Sequence, residues 1–272
     1  MTLNTNIHDS GFFSTCTVII YNIIEYIEKF KKYPLKINGQ NSFSWYKKYG
    51  ETGSIFNDYF LENTDLSMNY DFLTDIKDYF TDESNESNEI QFCNFSKLRY
   101  DMISPIIKNY FSPSKDILER VHLLESKYSI DYENTCVLFY RGNDKATEMT
   151  LCSYEDMYKI AYKVQQENPF IKFLIQSDET EFIDYMSDKF RHSSFYFKNE
   201  IRHIKRSNTT VDRVYHNLNN EFSKNFLAIT LCMSKCRNII CESGNCSLWI
   251  MLFRNNSNGV CQFLNGKWFN NI

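Results

Sequence analysis

The sequence predicts an α/β fold in two Rossmann-like halves, the C-terminal one doubly wound around a parallel sheet. Three observations carry this. Beyond residue 130, short apolar runs alternate with stretches whose apolar residues recur every three or four positions, and parallel strands need such crossover helices. The 272 residues suffice for one large domain or two of about 130 each. With 23 Phe and 19 Tyr against 8 Gly and 4 Pro, the chain is core-forming, which excludes Gly/Pro-rich linkers and low-complexity tracts.

Taken in order, Cys16, Ile19, Ile23, Ile27 and Phe30 predict an amphipathic helix over about 15–32, followed by a short strand at Leu35–Ile37. Thr81–Glu89, acidic and Asn/Ser-rich, reads as a solvated loop. Ser112-Pro113-Ser114 opens a helix carried by Ile117, Val121, Leu124 and Tyr128. A domain boundary near 130 then separates 1–130, a less regular α/β unit, from 131–272. Strands follow at Cys136–Tyr140, Phe173–Ile175, Ser194–Phe197, Asn238–Cys241 and Val260–Phe263. Between them lie helices marked by Tyr154, Met157, Ile160 and Val164 behind a Ser153/Asp156 capping box, by Phe182, Met186 and Phe190, by Phe222, Phe226, Ile229 and Met233, and by Cys246–Phe253. Asp184 and Asp188 fall on the second of these helices, as a solvated face rather than a metal-binding strand end.

The net charge of -4 carries no bulk attraction for nucleic acid. The first 27 residues lack a basic n-region, and Asn22 and Glu25 break the Phe12–Ile27 apolar stretch, so neither a signal peptide nor a membrane span is expected. Nine scattered cysteines fit a reducing, cytoplasmic setting. Cys232, Cys236, Cys241 and Cys246 invite a zinc reading, but their spacing is not C-x2-C and free buried thiols are the simpler account.

In open α/β sheets, ligands sit outside the carboxyl ends of strands. Three such ends are polar here: Arg141-Gly142-Asn143-Asp144-Lys145 with Glu148, Gln176-Ser177-Asp178, and Glu242-Ser243-Gly244-Asn245-Cys246-Ser247. Arg141 offers a guanidinium fork that matches a phosphate, and Lys145 a second cation. Ser243, Gly244, Asn245 and Ser247, at a helix start, form a phosphate cradle or only an N-cap. Ser177 and Asp178 can bind hydroxyls or cap the next helix. A charged surface turn is the bland alternative for the Arg141 loop. Trp45, Tyr46 and Tyr59 are candidates for stacking on a ring-shaped ligand, a sugar face among them, although aromatics are more often core.

The stretch Phe139-Tyr140-Arg141-Gly142-Asn143-Asp144-Lys145 resembles the H-x-R-R-x-D-K motif of GDP-fucose-dependent fucosyltransferases, the α1,6, nodulation and protein O-fucosyl group. Around it, Tyr110–Ser114 resembles the segment ahead of that motif, Ser177-Asp178 the donor-domain Ser-Asp, and Met233–Trp249 the closing strand, Ser-Gly-Asn and helix. Asp9-Ser10-Gly11-Phe12 weakly resembles the Gly-rich turn before the first helix. The likeness covers about the last 165 residues with some specificity. Phe139 stands where the family has His, Gly142 where it has a second Arg, Glu148 sits one residue nearer the Lys than the family's proposed base, and Phe226–Thr230 holds no counterpart of the base-reading Asp.

The resemblance implies a GT-B-like fold and metal-independent, inverting transfer of a sugar, fucose by analogy, from a GDP-sugar to an acceptor hydroxyl. The GDP-sugar is the donor substrate and no cofactor enters. Arg141 and Lys145 would stabilise the departing diphosphate, Glu148 would take the acceptor proton with Asp144 as the alternative, and Gly11 would join Ser177, Asp178, Ser243, Gly244, Asn245 and Ser247 around the donor. A non-catalytic nucleotide- or glycan-binding protein of the same fold is the rival. A phosphate-ester enzyme is disfavoured, because the chain has no G-x-S-x-G elbow, no P-loop and only five His.

Overall fold

A computed structural model describes residues 2–61, 80 and 89–272. Of the loop expected over Thr81–Glu89, only Glu89 lies within the described residues. The second half is built on β3 (Thr135–Tyr140), β4 (Lys172–Ser177), β5 (Ser194–Phe195), β6 (Asn238–Glu242), β7 (Val260–Leu264) and β8 (Lys267–Asn270). They form one sheet in the order β5-β4-β3-β6-β7-β8, parallel except for the antiparallel edge strand β8. Strands β3, β6 and β7 are buried along their whole length, as a sheet covered on both faces demands.

The helices of this half are α5 (Tyr154–Glu167), α6 (Thr180–Lys189), the single turn α7 (Val211–Val214), α8 (Asn219–Lys235) and α9 (Asn245–Arg254). The path β3-α5-β4-α6-β5 steps outward in one direction, whereas β5-α8-β6-α9-β7 returns and continues in the other. Right-handed crossovers therefore put α5 and α6 on one face and α8 and α9 on the opposite one. This is the doubly wound arrangement expected, and its direction reverses between β3 and β6, where such sheets bind ligands. Ser153 caps α5 by accepting the Asp156 N–H, as the capping box predicts.

The first half holds α1 (Phe12–Phe30), α2 (Phe56–Tyr59), α3 (Tyr100–Tyr110) and α4 (Lys115–Tyr128). Its strands among the described residues are β1 (Thr2–Asn4) and β2 (Lys36–Asn38), a short parallel pair. Helix α1 starts at Phe12, three residues earlier than the periodicity placed it. Helices α1 and α3 pack on α9, and α4 packs on α8. Phe12, Phe43, Tyr46, Tyr59, Phe60, Phe111 and Trp249 interlock at ring-centroid separations of 4.8–6.5 Å. The apolar core is thus continuous from α1 into the sheet half. Thr17 adds a polar tie: its hydroxyl accepts from Trp249 Nε1 at 2.9 Å and lies 2.8 Å from Asn245 Oδ1.

Candidate functional site

A cavity of about 620 Å³ opens at the carboxyl ends of β3, β4 and β6, and its walls come from both halves. Ser10, Gly11 and Trp45 line it from the first half. Arg141, Asp144, Lys145, Glu148, Asp178, Asn245 and Cys246 line it from the strand ends. Its size is that of an ordinary small-molecule site.

Arg141 leaves β3 at the point where the winding direction reverses. Its Nε lies 3.1 Å from Asp178 Oδ2, its Nη2 donates to Asp144 Oδ1 at 3.0 Å, and its Nη1 to Cys246 Sγ at 3.2 Å. Burial opposes its charge, but the Cys246 sulfur and the Asp178 and Asp144 carboxylates outweigh it and raise its pKa. Asp178, 5% exposed, is pushed up by burial, against the opposing pull of Arg141 and of the Gly142 N–H, which it accepts at 3.1 Å. Cys246 is the second residue of α9, so the guanidinium sits beside a helix start whose first N–H groups have no partner within the helix. Guanidinium and helix N-terminus converge on one spot, the elements of an anion site.

Lys145 pairs with Glu148, and both line the cavity. Asn245 holds its place through Thr17 and through Gln91, whose Oε1 accepts from Asn245 Nδ2 at 2.8 Å. Gly244, at φ +138°, adopts a conformation that favours glycine and donates its N–H to Gln91 O at 3.0 Å. Gly11 is the N-cap of α1.

Three of the predicted donor residues turn inward. Ser177 Oγ accepts the Glu179 N–H at 3.0 Å, Ser243 Oγ donates to Phe263 O at 2.8 Å, and Ser247 Oγ donates to Glu242 O. All three are buried, and none lines the cavity. Of the aromatic candidates, Trp45 lines the cavity beneath the Arg213 guanidinium and Tyr46, 1% exposed, is also among its lining residues, whereas Tyr59 is core.

Sequence reasoning assigned no role to two parts of the site. One is the wall from Glu200 to Arg213, a segment irregular until it enters the single turn α7 and pinned to the sheet by Ile204 N donating to Asp178 O at 3.0 Å and by Ser207 N donating to Asn143 Oδ1 at 2.9 Å. Within it, Arg202 Nη2 meets Asp212 Oδ1 at 2.8 Å. The other is Glu242, buried at the end of β6, which accepts the N–H of Arg141 at 3.2 Å and of Cys152 at 2.9 Å. It clamps both ends of the Arg141 loop. Burial outweighs those two N–H groups and pushes its carboxyl up to about 8. The nine cysteines are buried free thiols, and no cluster of three or more metal-ligating side chains occurs among the described residues. None of the described helices is long and apolar enough to cross a membrane.

No protein-family model matches the sequence, and no curated protein does. Solved structures do. A NodZ α-1,6-fucosyltransferase soaked with GDP-fucose superposes with a TM-score of 0.54 at 11% identity, over 100% of this chain and 98% of that one. The chain shares the fold of NodZ. NodZ α-1,6-fucosyltransferase co-crystallised with GDP gives a TM-score of 0.54 at 10% identity, and NodZ from Bradyrhizobium 0.51 at 11%, each over 98% of this chain and 96% of the other. The α/β, GT-B-like architecture expected from the sequence is therefore the one observed.

Proposed function

We propose that this chain is a glycosyltransferase that moves a sugar, fucose by analogy, from a GDP-sugar to an acceptor hydroxyl with inversion. One observation carries the reading: the Arg141 guanidinium stands where the sheet reverses its winding, between a buried carboxylate and the start of α9, and opens on a cavity walled by both halves. In this scheme residues 131–272 bind the nucleotide-sugar and residues 1–130 present the acceptor side, with Ser10, Gly11 and Trp45 facing it. The NodZ structures soaked with GDP-fucose or grown with GDP support the choice of donor.

The acceptor oxygen attacks the anomeric carbon while the bond from that carbon to the diphosphate oxygen breaks. Negative charge grows on the leaving diphosphate, where Arg141, the first amides of α9 and Lys145 would stabilise it. Every one of these cations already faces a carboxylate, so the diphosphate must compete with Asp144 for Arg141 and with Glu148 for Lys145. That competition has a use. A diphosphate that takes over Lys145 frees Glu148 to accept the acceptor's proton, with Asp144 as the alternative base. No cofactor enters this scheme, and protein cations carry the charge that a divalent ion would otherwise bring.

The test is Arg141→Ala and Arg141→Lys with a panel of GDP-, UDP- and dTDP-sugars, measuring nucleotide release and product. Loss of turnover by 10²-fold or more in both variants is expected, because a point charge does not replace the fork. Near-normal turnover in Arg141→Ala removes the mechanism. Wild-type binding of GDP with no turnover of any donor makes the chain the non-catalytic binder instead.

A further inference from the structure

The cavity continues past the anion site, deeper along the same face of the sheet. Side chains on a strand alternate between faces, so Phe139 shares its face with Arg141, and Gln176 shares its face with Asp178. Phe139 and Gln176 are register partners across β3 and β4, and both line the cavity. They lie one strand repeat, about 7 Å, below the Arg141–Asp178 pair. Facing them across the cavity are Phe222, Phe226 and Ile229 of α8. This part of the wall is mostly apolar and ring-lined, with the Gln176 amide, the Ser223 hydroxyl and the Arg202 guanidinium over Phe222 as its polar groups.

That amide is anomalous. Gln176 is 5% exposed, and its Oε1 is buried with no hydrogen-bond partner in the protein. Buried amides are almost always satisfied, and one left open at the wall of a cavity is free to accept a hydrogen from a ligand. The group must donate a hydrogen and carry no negative charge, which rules out the diphosphate. A neutral ring with N–H groups, or the hydroxyl of a sugar attached to it, is the chemistry that matches an open acceptor beside Phe139 and the α8 side chains.

We infer that Gln176, seated beside Phe139, is the residue that reads the nucleoside of the donor, accepting an N–H of the base or an O–H of its ribose. This rests on the proposed function and deepens it: Arg141 takes the diphosphate, and Gln176 sets which nucleoside may follow it into the cavity.

The experiment compares wild type with Gln176→Met, close in shape, and Gln176→Leu as a second variant, by calorimetric titration with GDP, UDP and inorganic pyrophosphate and by thermal melts without ligand. Both variants are expected to bind GDP roughly tenfold or more weakly, because a ligand donor loses its buried acceptor. Pyrophosphate affinity should be unchanged, and the ligand-free melting temperature equal to or above that of wild type, because an unpaired polar group has been removed. A loss confined to GDP assigns the hydrogen bond to the base, and a loss shared with UDP assigns it to the ribose. GDP affinity within twofold of wild type overturns the inference, as does an equal loss for pyrophosphate accompanied by a lower melting temperature. Wild type binding neither nucleotide nor pyrophosphate overturns the donor reading itself, and this inference with it.

Discussion

Gly142→Ala is the substitution whose effect the geometry determines most directly. A Cβ built on Gly142 would lie 1.5 Å from Glu179 Oε2, 2.7 Å from Glu179 Cδ and 2.8 Å from Tyr140 Cε1. Neither neighbour has room to give. The Glu179 side chain is 0% exposed, and its Oε1 accepts from Arg206 Nε at 2.6 Å and from the Tyr154 hydroxyl. Tyr140 is stacked on Phe182 at 4.6 Å between ring centroids. Overpacking of this kind costs about 1–3 kcal/mol, and displacing the Glu179 carboxylate from Arg206 adds to it, so about 2–4 kcal/mol is expected. Urea unfolding measures this, with Glu179→Ala as a second background that removes the obstructing atoms. There, Gly142→Ala should lose at least half its penalty, a coupling that a double-mutant cycle reads directly. A Gly142→Ala protein within 0.5 kcal/mol of wild type, or an identical penalty in both backgrounds, would refute the reasoning. The same crowding explains why the second Arg of the fucosyltransferase motif has no place here: Glu179 fills the space.

Two further outcomes follow from buried polar groups. The folded Glu242 carboxyl holds its proton to about pH 8, against about 4.5 ordinarily, so the native state binds the extra proton between those values and stability falls as pH rises through that window. At about 1.4 kcal/mol per pH unit the difference reaches about 5 kcal/mol, and Glu242→Gln should flatten the wild-type curve of unfolding free energy between pH 5 and 8.5; parallel curves would contradict it. Thr17→Val keeps the shape but leaves Trp249 Nε1–H, which donates to Thr17 at 2.9 Å, buried without a partner. A loss of about 1–3 kcal/mol is expected in urea unfolding, and a change below 0.5 kcal/mol would show that the tie adds nothing.

Much of the C-terminal half was legible, because unbroken apolar runs and period-3.6 patterns respond to the burial that a parallel sheet covered on both faces imposes. The Arg141 loop stood out as charge following a fully apolar strand. The β7–β8 hairpin was legible and overlooked: Asn265-Gly266, at φ +49° and +77°, is the two-residue turn such a dipeptide favours. Gln176 and Glu242 were visible as polar residues ending apolar runs, but whether such a side chain is paired depends on neighbours distant in sequence. The 200–213 wall left no periodic signal, since its conformation is set by Asp178, Asn143 and Asn219 rather than by its own pattern. Tyr59 went into the core and Trp45 to the cavity for the same reason: local composition does not say which ring the fold will cover.

The unbroken aromatic packing from α1 through Trp249 has a mechanical consequence. Halves joined by a large ring-filled seam are not expected to swing apart as rigid bodies, unlike domains joined by a small polar interface. The two halves are therefore expected to hold the cavity at one width, so that access for a ligand depends on the irregular 200–213 wall rather than on lobe closure.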